Sequence, residues 1–347
     1  MKLPAPTVER LRALYNGVPV CVTGGAGFIC GHLVDALLSV GAVISVVDDL
    51  SNSNLDHLAG LIELEPQRVR FVHASILDDS ALDDAICGKG ADGSRHAPAQ
   101  VVFHHAALGS VPRSIAEPQH TWSVNTTGTV RVLEAARRAG TRRVVFAASS
   151  SAYGDQKGAG AKVETQLPQP LSPYAASKLA GEHLMGVYAL CYGLSTVCLR
   201  YFNIFGPRQP ADSAYAAAVA AITRRILDGN APIVFGDGRQ TRDFTYVGNA
   251  VLATLLGGAS ETKFQGDVIN IGTGRRVSIV ELAEMIAKAC GAPGVAPSFQ
   301  PARTGDPRDS LADITRARQL LGYEPVTPIE EGLAETVAWS KKSMAGA

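Results

Sequence analysis

The sequence predicts an α/β protein in which a doubly wound parallel sheet carries a smaller α/β domain. Short β-rich runs alternate with helical periods through residues 1–200, which is the pattern of βαβ units. A glycine-rich turn joins the first strand to the helix that follows it. From residue 201 onward the chain changes to short strands between Gly/Pro-rich connectors. These observations together define the predicted architecture.

The strands of the larger domain, residues 1–200, are recognised by short runs rich in β-branched residues. We place them at 18–23, 43–48, 69–73, 100–105, 142–148 and 194–200. Helical periods fill most of the intervals, at 28–41, 79–87, 118–139 and 174–192. Helical crossovers make the strands parallel and cover both faces of the sheet.

The smaller domain is assigned to 201–235 and 267–347. Its predicted elements are a strand at 232–235 and helices near 213–228, 278–290 and 328–342. The segment 236–266 carries a helical pattern over 242–258, which we expect to return to the larger domain. The two domains would then interleave.

Composition and charge exclude several classes of protein. The 32 basic residues balance the 32 acidic ones, so no overall field attracts nucleic acid or an anionic membrane. The longest apolar runs, such as 42–47 and 215–222, are too short to span a bilayer, and no signal-peptide pattern is found. The six cysteines form no CxxC pair and no zinc-like spacing with histidine. We expect a cytoplasmic protein with reduced thiols and no metal centre.

The stretch VCVTGGAGFICGHL places a glycine turn between an apolar strand and a helix. Gly24 and Gly27 would let the backbone turn tightly and approach a pyrophosphate, whose charge is stabilised at the helix N-terminus. Cys30 replaces the third glycine of such motifs. An ordinary βα turn is the alternative, but the order of strand, turn and helix favours a Rossmann-like dinucleotide site.

The second predicted strand ends in acidic residues. Asp48 lies at about the distance from the glycine turn at which a carboxylate accepts hydrogen bonds from the adenosine ribose. A carboxylate there repels a 2′-phosphate, so the cofactor should be NAD rather than NADP. Asp49 and Asn52 follow in the loop, where cofactor contact and simple turn formation both remain open.

The stretch SPYAASK places Tyr174 and Lys178 one helical turn apart, with only small residues between them. An ammonium this close stabilises a phenolate, so we expect Lys178 to lower the pKa of Tyr174 and make it a base. Ser149 ends the strand before, where its hydroxyl would hydrogen-bond the same substrate oxygen. Two solvated helix residues are the alternative for the pair taken alone. The glycine turn and Asp48 favour the catalytic interpretation.

Further motifs follow one another over nearly the whole chain. In order they are TGGAGFI, VVDDLSNSN, HHAALGSVPRS, SVNTTGTVRVLEAA, ASSSAYGD, SPYAASK, RYFNIFGPRQ, GDGRQTRDFTYV and RTGDPRDSLAD. This series resembles the extended short-chain dehydrogenase/reductase family, and within it the UDP-hexose 4-epimerases, closest to those acting on UDP-N-acetylglucosamine. The resemblance implies bound NAD, a transient 4-keto sugar, Tyr174 as the base, Ser149 as a proton relay and Lys178 on the nicotinamide ribose.

The resemblance also implies a set of cofactor contacts. Alanines at positions such as Ala106 and Ala107 let the adenosine half approach the backbone. Ser75 stands where the family usually has an aspartate for the adenine amine, while His104 and His105 would line the pocket without acid–base work. The implied set is Gly24, Gly27, Phe28, Ile29, Asp48, Asp49, Asn52, Ser75, Ile76, Ala106, Ala107, Asn125, Tyr174, Lys178 and Tyr201.

On the substrate side, the resemblance implies firm anchors on UDP. Arg242 and Arg303 correspond to diphosphate contacts, since a guanidinium suits two phosphate oxygens. Asn203 corresponds to an amide that contacts a phosphate, and Asp306 to an acid near the uridine ribose. A firmly held nucleotide leaves the hexose free to turn over between the two hydride transfers.

Three small residues bear on which sugar is accepted. Ser310 stands where glucose-restricted members of the family carry a tyrosine, so it leaves room for an N-acetyl group. Gly109 and Ser151 also match the N-acetyl-preferring subgroup, with Ser151 as a sugar contact alongside Ser149. We therefore expect exchange of UDP-GlcNAc and UDP-GalNAc, with UDP-glucose and UDP-galactose also accepted.

Other functions remain open at this stage. A UDP-uronate 4-epimerase is an alternative, because Arg113, Arg208 or Arg308 would suit a carboxylate. A dehydratase lacks the acid pair it needs beside the catalytic hydroxyl, and a non-catalytic nucleotide-binding module has no use for a proton relay. The helices at 118–139 and 174–192 carry extra apolar stripes, which in the family form a four-helix homodimer interface.

Overall fold

The centre of the computed structural model, which describes residues 4–156, 160–210, 218–302 and 308–345, is a seven-stranded parallel sheet. In chain order the strands are β1 (Pro19–Thr23), β2 (Val43–Asp48), β3 (Val69–His73), β4 (Val101–His104), β5 (Arg143–Ser149), β6 (Thr196–Tyr201) and β7 (Gln265–Ile271). They lie side by side in the order β7, β6, β5, β4, β1, β2, β3. The predicted doubly wound, Rossmann-like sheet is therefore confirmed.

Helices cover both faces of the sheet. In chain order they are α1 (Ala5–Tyr15), α2 (Phe28–Ser39), α3 (Ala59–Leu64), α4 (Asp79–Ala85), α5 (Val111–Ala116), α6 (Pro118–Trp122), α7 (Gly128–Ala139), α8 (Pro173–Tyr192), α9 (Ala218–Leu227), α10 (Val247–Ala259), α11 (Ile279–Cys290), α12 (Thr315–Leu321) and α13 (Ile329–Ala345). Alternate strand residues build two cores. Val20 and Val22 join the core under α1, α2 and α10, and Cys21 joins the core under α4, α7 and α8.

The order in which strands are added to the sheet reverses beside β1. This strand pairs with β2 on one side and with β4 on the other, so later strands are added on the opposite side from earlier ones. In open α/β sheets the ligand crevice lies at the carboxyl ends of the strands at such a reversal. Here that edge is formed by Thr23 and His104, where β1 and β4 end.

The chain returns to the sheet through α10 and β7. Every residue of α10 is buried, and β7 pairs in parallel with β6. The helix begins five residues later than the predicted start at 242, because Thr241–Arg242 and Thr245–Tyr246 are short strands. The strand β7 was not predicted, since polar Asp267 and Asn270 interrupt its apolar run.

Two further helical regions differ from the sequence-based expectation. The single helix predicted at 118–139 begins at Pro118 as α6, passes through a π-helical turn at Ser123–Thr127, and continues as α7. The helix α1 was not predicted. Its Tyr15 is buried under α10, where the hydroxyl donates to the carbonyl oxygen of Leu255 at 2.7 Å.

The remaining described segments form short strands beside α9, α11, α12 and α13. These strands are Ile204–Phe205, Ile233–Phe235, Thr241–Arg242, Thr245–Tyr246, Val277–Ser278, Ser298–Gln300 and Asp309–Ser310. Asp243 joins three segments: its buried carboxylate accepts hydrogen bonds from the backbone amides of Thr273, Gly274 and Ala312. In the described ranges, no helix is both long and apolar enough to cross a bilayer.

Candidate active site

A large cavity opens at the carboxyl ends of the central strands. Its volume is about 1070 Å³, above the roughly 300–1,000 Å³ of most small-molecule sites. It is lined by almost every described residue predicted from the sequence, namely Gly24, Gly27, Phe28, Ile29, Asp48, Asp49, Asn52, Ser75, Ile76, Ala106, Ala107, Gly109, Ser149, Ser151, Tyr174, Lys178, Tyr201, Asn203, Arg242 and Ser310. Arg303 and Asp306 lie outside the described residues.

The glycine turn forms a cradle that has no space for side chains. Gly24 has φ +72°, and a Cβ there would lie 2.8 Å from the backbone nitrogen and Cα of Ala106. Gly27 then caps α2, and no side chain accepts from the first amides of that helix. Free amides at a helix N-terminus suit a phosphate. The turn therefore fits the pyrophosphate of a dinucleotide.

Two further glycines of this region were missed by the sequence reasoning. A Cβ at Gly25 would lie 2.4 Å from Val46 Cγ1, and one at Gly31 would lie 2.2 Å from His57 Nε2. Cys30, at the usual third glycine position, is 2% exposed and lines the cavity. The close approach to the neighbouring loop is made at Gly31, next to it. Since Val46 and His57 come from later segments, no local pattern shows these contacts.

Asp48 lies at the end of β2 with its carboxylate held by backbone amides. Its Oδ2 accepts from Ala26 N at 3.0 Å, and its Oδ1 accepts from Leu50 N at 2.9 Å and from Ser53 Oγ at 3.0 Å. The carboxylate is thus fixed at the edge of the cavity. A fixed negative charge fits ribose hydroxyls and opposes a 2′-phosphate.

The loop after Asp48 reaches across to α5. Asp49 accepts from Ser51 N at 3.0 Å, which is a local turn contact. Asn52 Oδ1 accepts from Arg113 Nη1 at 3.0 Å, so Asn52 joins the β2 loop to the other side of the cavity. Both residues are exposed and line the cavity mouth.

The loop after β4 is organised from behind by two buried polar side chains. Asn125 is 2% exposed, and its amide accepts from Leu108 N at 2.8 Å and donates to Ser177 Oγ at 3.0 Å. It does not line the cavity. The structure therefore places Asn125 as a support for the loop, which differs from the direct cofactor contact implied by the resemblance.

The two histidines after Phe103 serve as neutral packing groups. His104 bridges Thr23 Oγ1 at 2.8 Å and Thr129 Oγ1 at 2.9 Å, and burial holds its pKa well below the usual range. Burial lowers the pKa of His105 to about 3, and its ring lies 5.8 Å from that of Tyr201. Both imidazoles are neutral near pH 7, which agrees with a lining role.

Ser75 and Ile76 lie on the adenosine side, after β3. Ser75 Oγ accepts from Leu77 N at 3.3 Å, so it caps its own turn while lining the cavity. Ile76 is 3% exposed, and a Cβ at Gly128 would lie 2.5 Å from its Cδ1. This side of the cavity is therefore tightly closed by α7.

The catalytic candidates meet where β5 ends and α8 begins. Ser172 caps α8 by accepting from Ala175 N at 3.1 Å, and Pro173 occupies the first turn, where proline is favoured. Tyr174 is thereby placed on the first turn, facing the end of β5. Tyr174 and Ser149 both line the cavity there, and Ser149 Oγ accepts from Ser151 Oγ at 2.8 Å.

The pKa values of the pair differ from the expectation. Enclosure by protein raises the pKa of Tyr174, an effect that the Ser149 hydrogen bond opposes. Burial lowers the pKa of Lys178 to about 8. Lys178 Nζ donates to Ala147 O at 2.8 Å and lies 5.0 Å above the Phe146 ring. The predicted lowering of the Tyr174 pKa by Lys178 is thus not found, since burial raises this pKa and only Ser149 opposes the rise.

The substrate half of the cavity is formed by short strands of the smaller part. Arg242 is 7% exposed and pairs in register with Ser310. Asn203 has φ +36°, and its amide donates to Asp243 O at 2.9 Å. A Cβ at Gly109 would meet no atom within 4 Å. The wall therefore combines a buried cation with small residues and open space.

A cavity with this cofactor cradle and a Tyr–Lys pair at one sheet edge defines a nicotinamide-dependent enzyme of the short-chain dehydrogenase/reductase class. More narrowly, the chain belongs to the NAD dependent epimerase/dehydratase family, whose model matches residues 20–272. NAD is the cofactor for the half that contains the glycine turn.

Similar proteins are found along the full length of the chain. The UDP-glucose 4-epimerase of Mycolicibacterium smegmatis is 39% identical over 91% of this chain and 96% of its own. The UDP-N-acetylglucosamine 4-epimerase of Methanobrevibacter ruminantium, with UDP-N-acetylmuramic acid, has a TM-score of 0.84 and 33% identity over 95% and 100% of the two chains. The UDP-glucuronic acid 4-epimerase of Bacillus cereus, with UDP-glucuronic acid and NAD, has a TM-score of 0.81 and 32% identity over 93% and 99%. The three names share a reaction and differ in the sugar.

Proposed function

We propose that this protein is an NAD-dependent UDP-sugar 4-epimerase that prefers UDP-GlcNAc and UDP-GalNAc and also accepts UDP-glucose and UDP-galactose. The observation that carries the proposal is that Ser149, Tyr174 and Lys178 line the same cavity as the glycine turn. The relatives named above support the reaction class, since all three are 4-epimerases of UDP-sugars.

Tyr174 takes the proton of the sugar 4-hydroxyl and later returns it. When bound, oxidised NAD supplies a hydride acceptor and a positive charge beside the phenol. Ser149 holds the tyrosine oxygen and offers a second hydroxyl for the proton. The Lys178 ammonium, one turn further on α8, stabilises the phenolate once it forms. Because enclosure raises the pKa of Tyr174, the phenol must first release its own proton to solvent as these charges lower its pKa, and the phenolate then takes the proton of the sugar.

Epimerisation requires the 4-keto sugar to present both faces to the same acceptor, so the hexose must be held less firmly than the nucleotide. Arg242 is suited to the diphosphate because it is buried in the substrate wall. Asn203 lies beside it with its backbone in the left-handed region. We assign Arg303 and Asp306 to the same nucleotide anchor from the resemblance alone.

The preference for N-acetylated sugars rests on small residues. Ser310, Ser151 and Gly109 all line the cavity, and the space beside Gly109 is open. Room of this kind admits an N-acetyl group without rejecting a hydroxyl. The uronate alternative is weakened because all three of its arginines form ion pairs, Arg113 with Glu117, Arg208 with Asp35 and Arg308 with Asp237.

Arg113 is the residue that still supports the uronate alternative. It lines the cavity, and its hydrogen bonds go to Asn52 and, at 3.4 Å, to Glu117. A carboxylate on the sugar would be a stronger partner for this guanidinium than the Asn52 amide. UDP-glucuronate is therefore the second substrate to assay.

We infer a homodimer through α5, α6 and α8. These helices pack together, and several large apolar side chains on them are exposed: Val111, Ile115, Trp122, Val187 and Leu190. An apolar surface of this kind on neighbouring helices suits a second copy of the same surface. The four-helix arrangement and a cytoplasmic location remain predictions from the sequence.

The test of the function is turnover without added cofactor. Purified protein is incubated separately with UDP-GlcNAc, UDP-glucose and UDP-glucuronate, and the products are resolved by chromatography or NMR. Faster formation of UDP-GalNAc than of UDP-galactose supports both retained NAD and the sugar preference. If only UDP-glucuronate is turned over, the proposed substrate is wrong and the uronate takes its place. If none of the three is turned over even with NAD supplied, the proposed function is rejected.

A further inference from the structure

A buried lysine lines the cavity, and no ion pair joins it to a carboxylate in the part of the chain that the structure describes. Lys162 is 4% exposed and lines the cavity. Its Nζ makes one contact, with the carbonyl oxygen of Gln156 at 3.4 Å, beyond the usual range of such bonds. An ammonium offers three donors, and a buried charge is costly unless it is paired. Among the described residues, no carboxylate forms an ion pair with it.

The backbone of Lys162 is held on the strand that follows Ser310. Lys162 N donates to Leu311 O at 2.7 Å, and Asp313 N donates to Lys162 O at 3.0 Å, which forms a parallel bridge with Ala312. These bonds fix where the side chain leaves the backbone. The lysine is thereby kept close to the wall that contains Ser310.

A buried side-chain network ties the same backbone to the catalytic turn. Asn270 Nδ2 donates to Lys162 O at 2.8 Å, and Asn270 Oδ1 accepts from Tyr153 OH at 2.7 Å. Tyr153 ends the turn that begins after Ser149. The Tyr153 ring in turn lies 4.5 Å from the guanidinium of Arg200. Lys162 is therefore linked to the reacting end of the cavity through Tyr153.

We propose that Lys162 binds the hexose through an oxygen on its substituent, either an N-acetyl carbonyl or a uronate carboxylate. The proposal rests on the proposed function in taking a UDP-sugar as the ligand. The backbone of Lys162 is attached to both the Ser310 strand and the Ser149 turn, which favours the hexose over the diphosphate as the group that the side chain binds. Among the described residues the ammonium has only the distant Gln156 carbonyl as an acceptor, and such an oxygen would supply a closer one.

The test is a comparison of binding by isothermal titration calorimetry. The holoenzyme carries Tyr174→Phe so that turnover does not interfere, and the ligands are UDP, UDP-glucose, UDP-GlcNAc and UDP-glucuronate. Lys162→Met should weaken one of the two substituted sugars about tenfold or more, as for a lost hydrogen bond from a charged group. The Kd values of UDP and UDP-glucose should change less than threefold.

The two substituted sugars distinguish the source of the oxygen. A loss confined to UDP-GlcNAc identifies the N-acetyl carbonyl, and a loss confined to UDP-glucuronate identifies the carboxylate. Lys162→Arg keeps the charge and should recover part of the loss. The matched control is Lys263→Met, a lysine at an exposed position, which should leave every Kd unchanged.

Two outcomes overturn the proposal. An equal loss for UDP and all three sugars means that Lys162 contacts a phosphate, and unchanged Kd values mean that it is structural. Thermal unfolding and NAD content show whether each variant is folded, and Lys162→Gln replaces the methionine variant if that one fails. If the Lys162 variants lose binding selectively while the enzyme with Tyr174 intact epimerises no UDP-sugar, the proposed function is rejected and the Lys162 contact stands.

Discussion

The two halves of the cavity are assembled in different ways. The cofactor half takes Gly24, Gly27 and Asp48 from one βαβ unit, where β1 and β2 pair directly. The substrate half joins segments that are distant in the chain, because Lys162 pairs with Ala312 and Arg242 with Ser310. A local motif can therefore define the cofactor, while the sugar depends on how distant segments pair.

The largest effect is expected at Tyr174, where the two halves meet. Tyr174→Phe should lower kcat by roughly 10²–10⁴-fold, because the proton acceptor is lost, and should leave the binding of NAD and UDP unchanged. Turnover of UDP-GlcNAc and calorimetry with UDP measure the two effects. Tyr192→Phe, at an exposed tyrosine of the same helix, is the control. Normal turnover in Tyr174→Phe would remove the mechanism.

A single methyl group added at Gly24 should disrupt NAD binding in the cofactor half. Gly24→Ala and Gly17→Ala introduce similar backbone strain, since their φ values are +72° and +73°, but only Gly24 has backbone atoms 2.8 Å from the added Cβ. Gly17→Ala should lose about 1 kcal/mol of unfolding free energy from backbone strain, and Gly24→Ala should lose more, because the added Cβ also displaces backbone atoms. Only Gly24→Ala should also weaken NAD binding, by at least about tenfold. Equal NAD affinities in the two variants would contradict the cradle.

Filling the space at Ser310 should change which sugars the substrate half accepts. Ser310→Tyr should reduce kcat/KM for UDP-GlcNAc by roughly 10–100-fold and change that for UDP-glucose little, as expected for steric exclusion from a pocket. The ratio of the two kcat/KM values is the measurement. Ser298→Tyr adds the same ring at an exposed strand and should leave the ratio alone. An unaltered ratio in Ser310→Tyr would place the N-acetyl group elsewhere.

The smallest effect concerns the choice between NAD and NADP. Asp48→Asn removes the charge but keeps an oxygen for Ala26 N or Leu50 N, so the fold of the loop should survive. The preference for NAD should fall about tenfold, which corresponds to roughly 1.4 kcal/mol. The ratio of Kd values for NAD and NADP tests this, with Asp56→Asn, at an exposed position of the same loop that does not line the cavity, as the control. A constant ratio would show that Asp48 holds the loop and does not select the cofactor.

Sequence reasoning succeeded where a feature is determined by residues within one short segment. Pro173 and Ser172 start α8, and this start alone brings Tyr174 to Ser149. It failed where a position is determined by contacts with a distant segment. The close approach of Val46 requires Gly25, that of His57 requires Gly31, and Asn270 holds the backbone of Lys162. Burial is also a property of the whole fold, so the raised pKa of Tyr174 could not be inferred from its spacing to Lys178.

The pairing of Lys162 with Ala312 has a consequence for the order in which the protein matures. The glycine turn, Asp48 and the Tyr–Lys pair are all synthesised before residue 200, whereas the partner of Lys162 is synthesised near the end of the chain. Contacts that close long loops form late, because chain entropy opposes them. A growing chain therefore gathers its cofactor residues first and completes its sugar wall last.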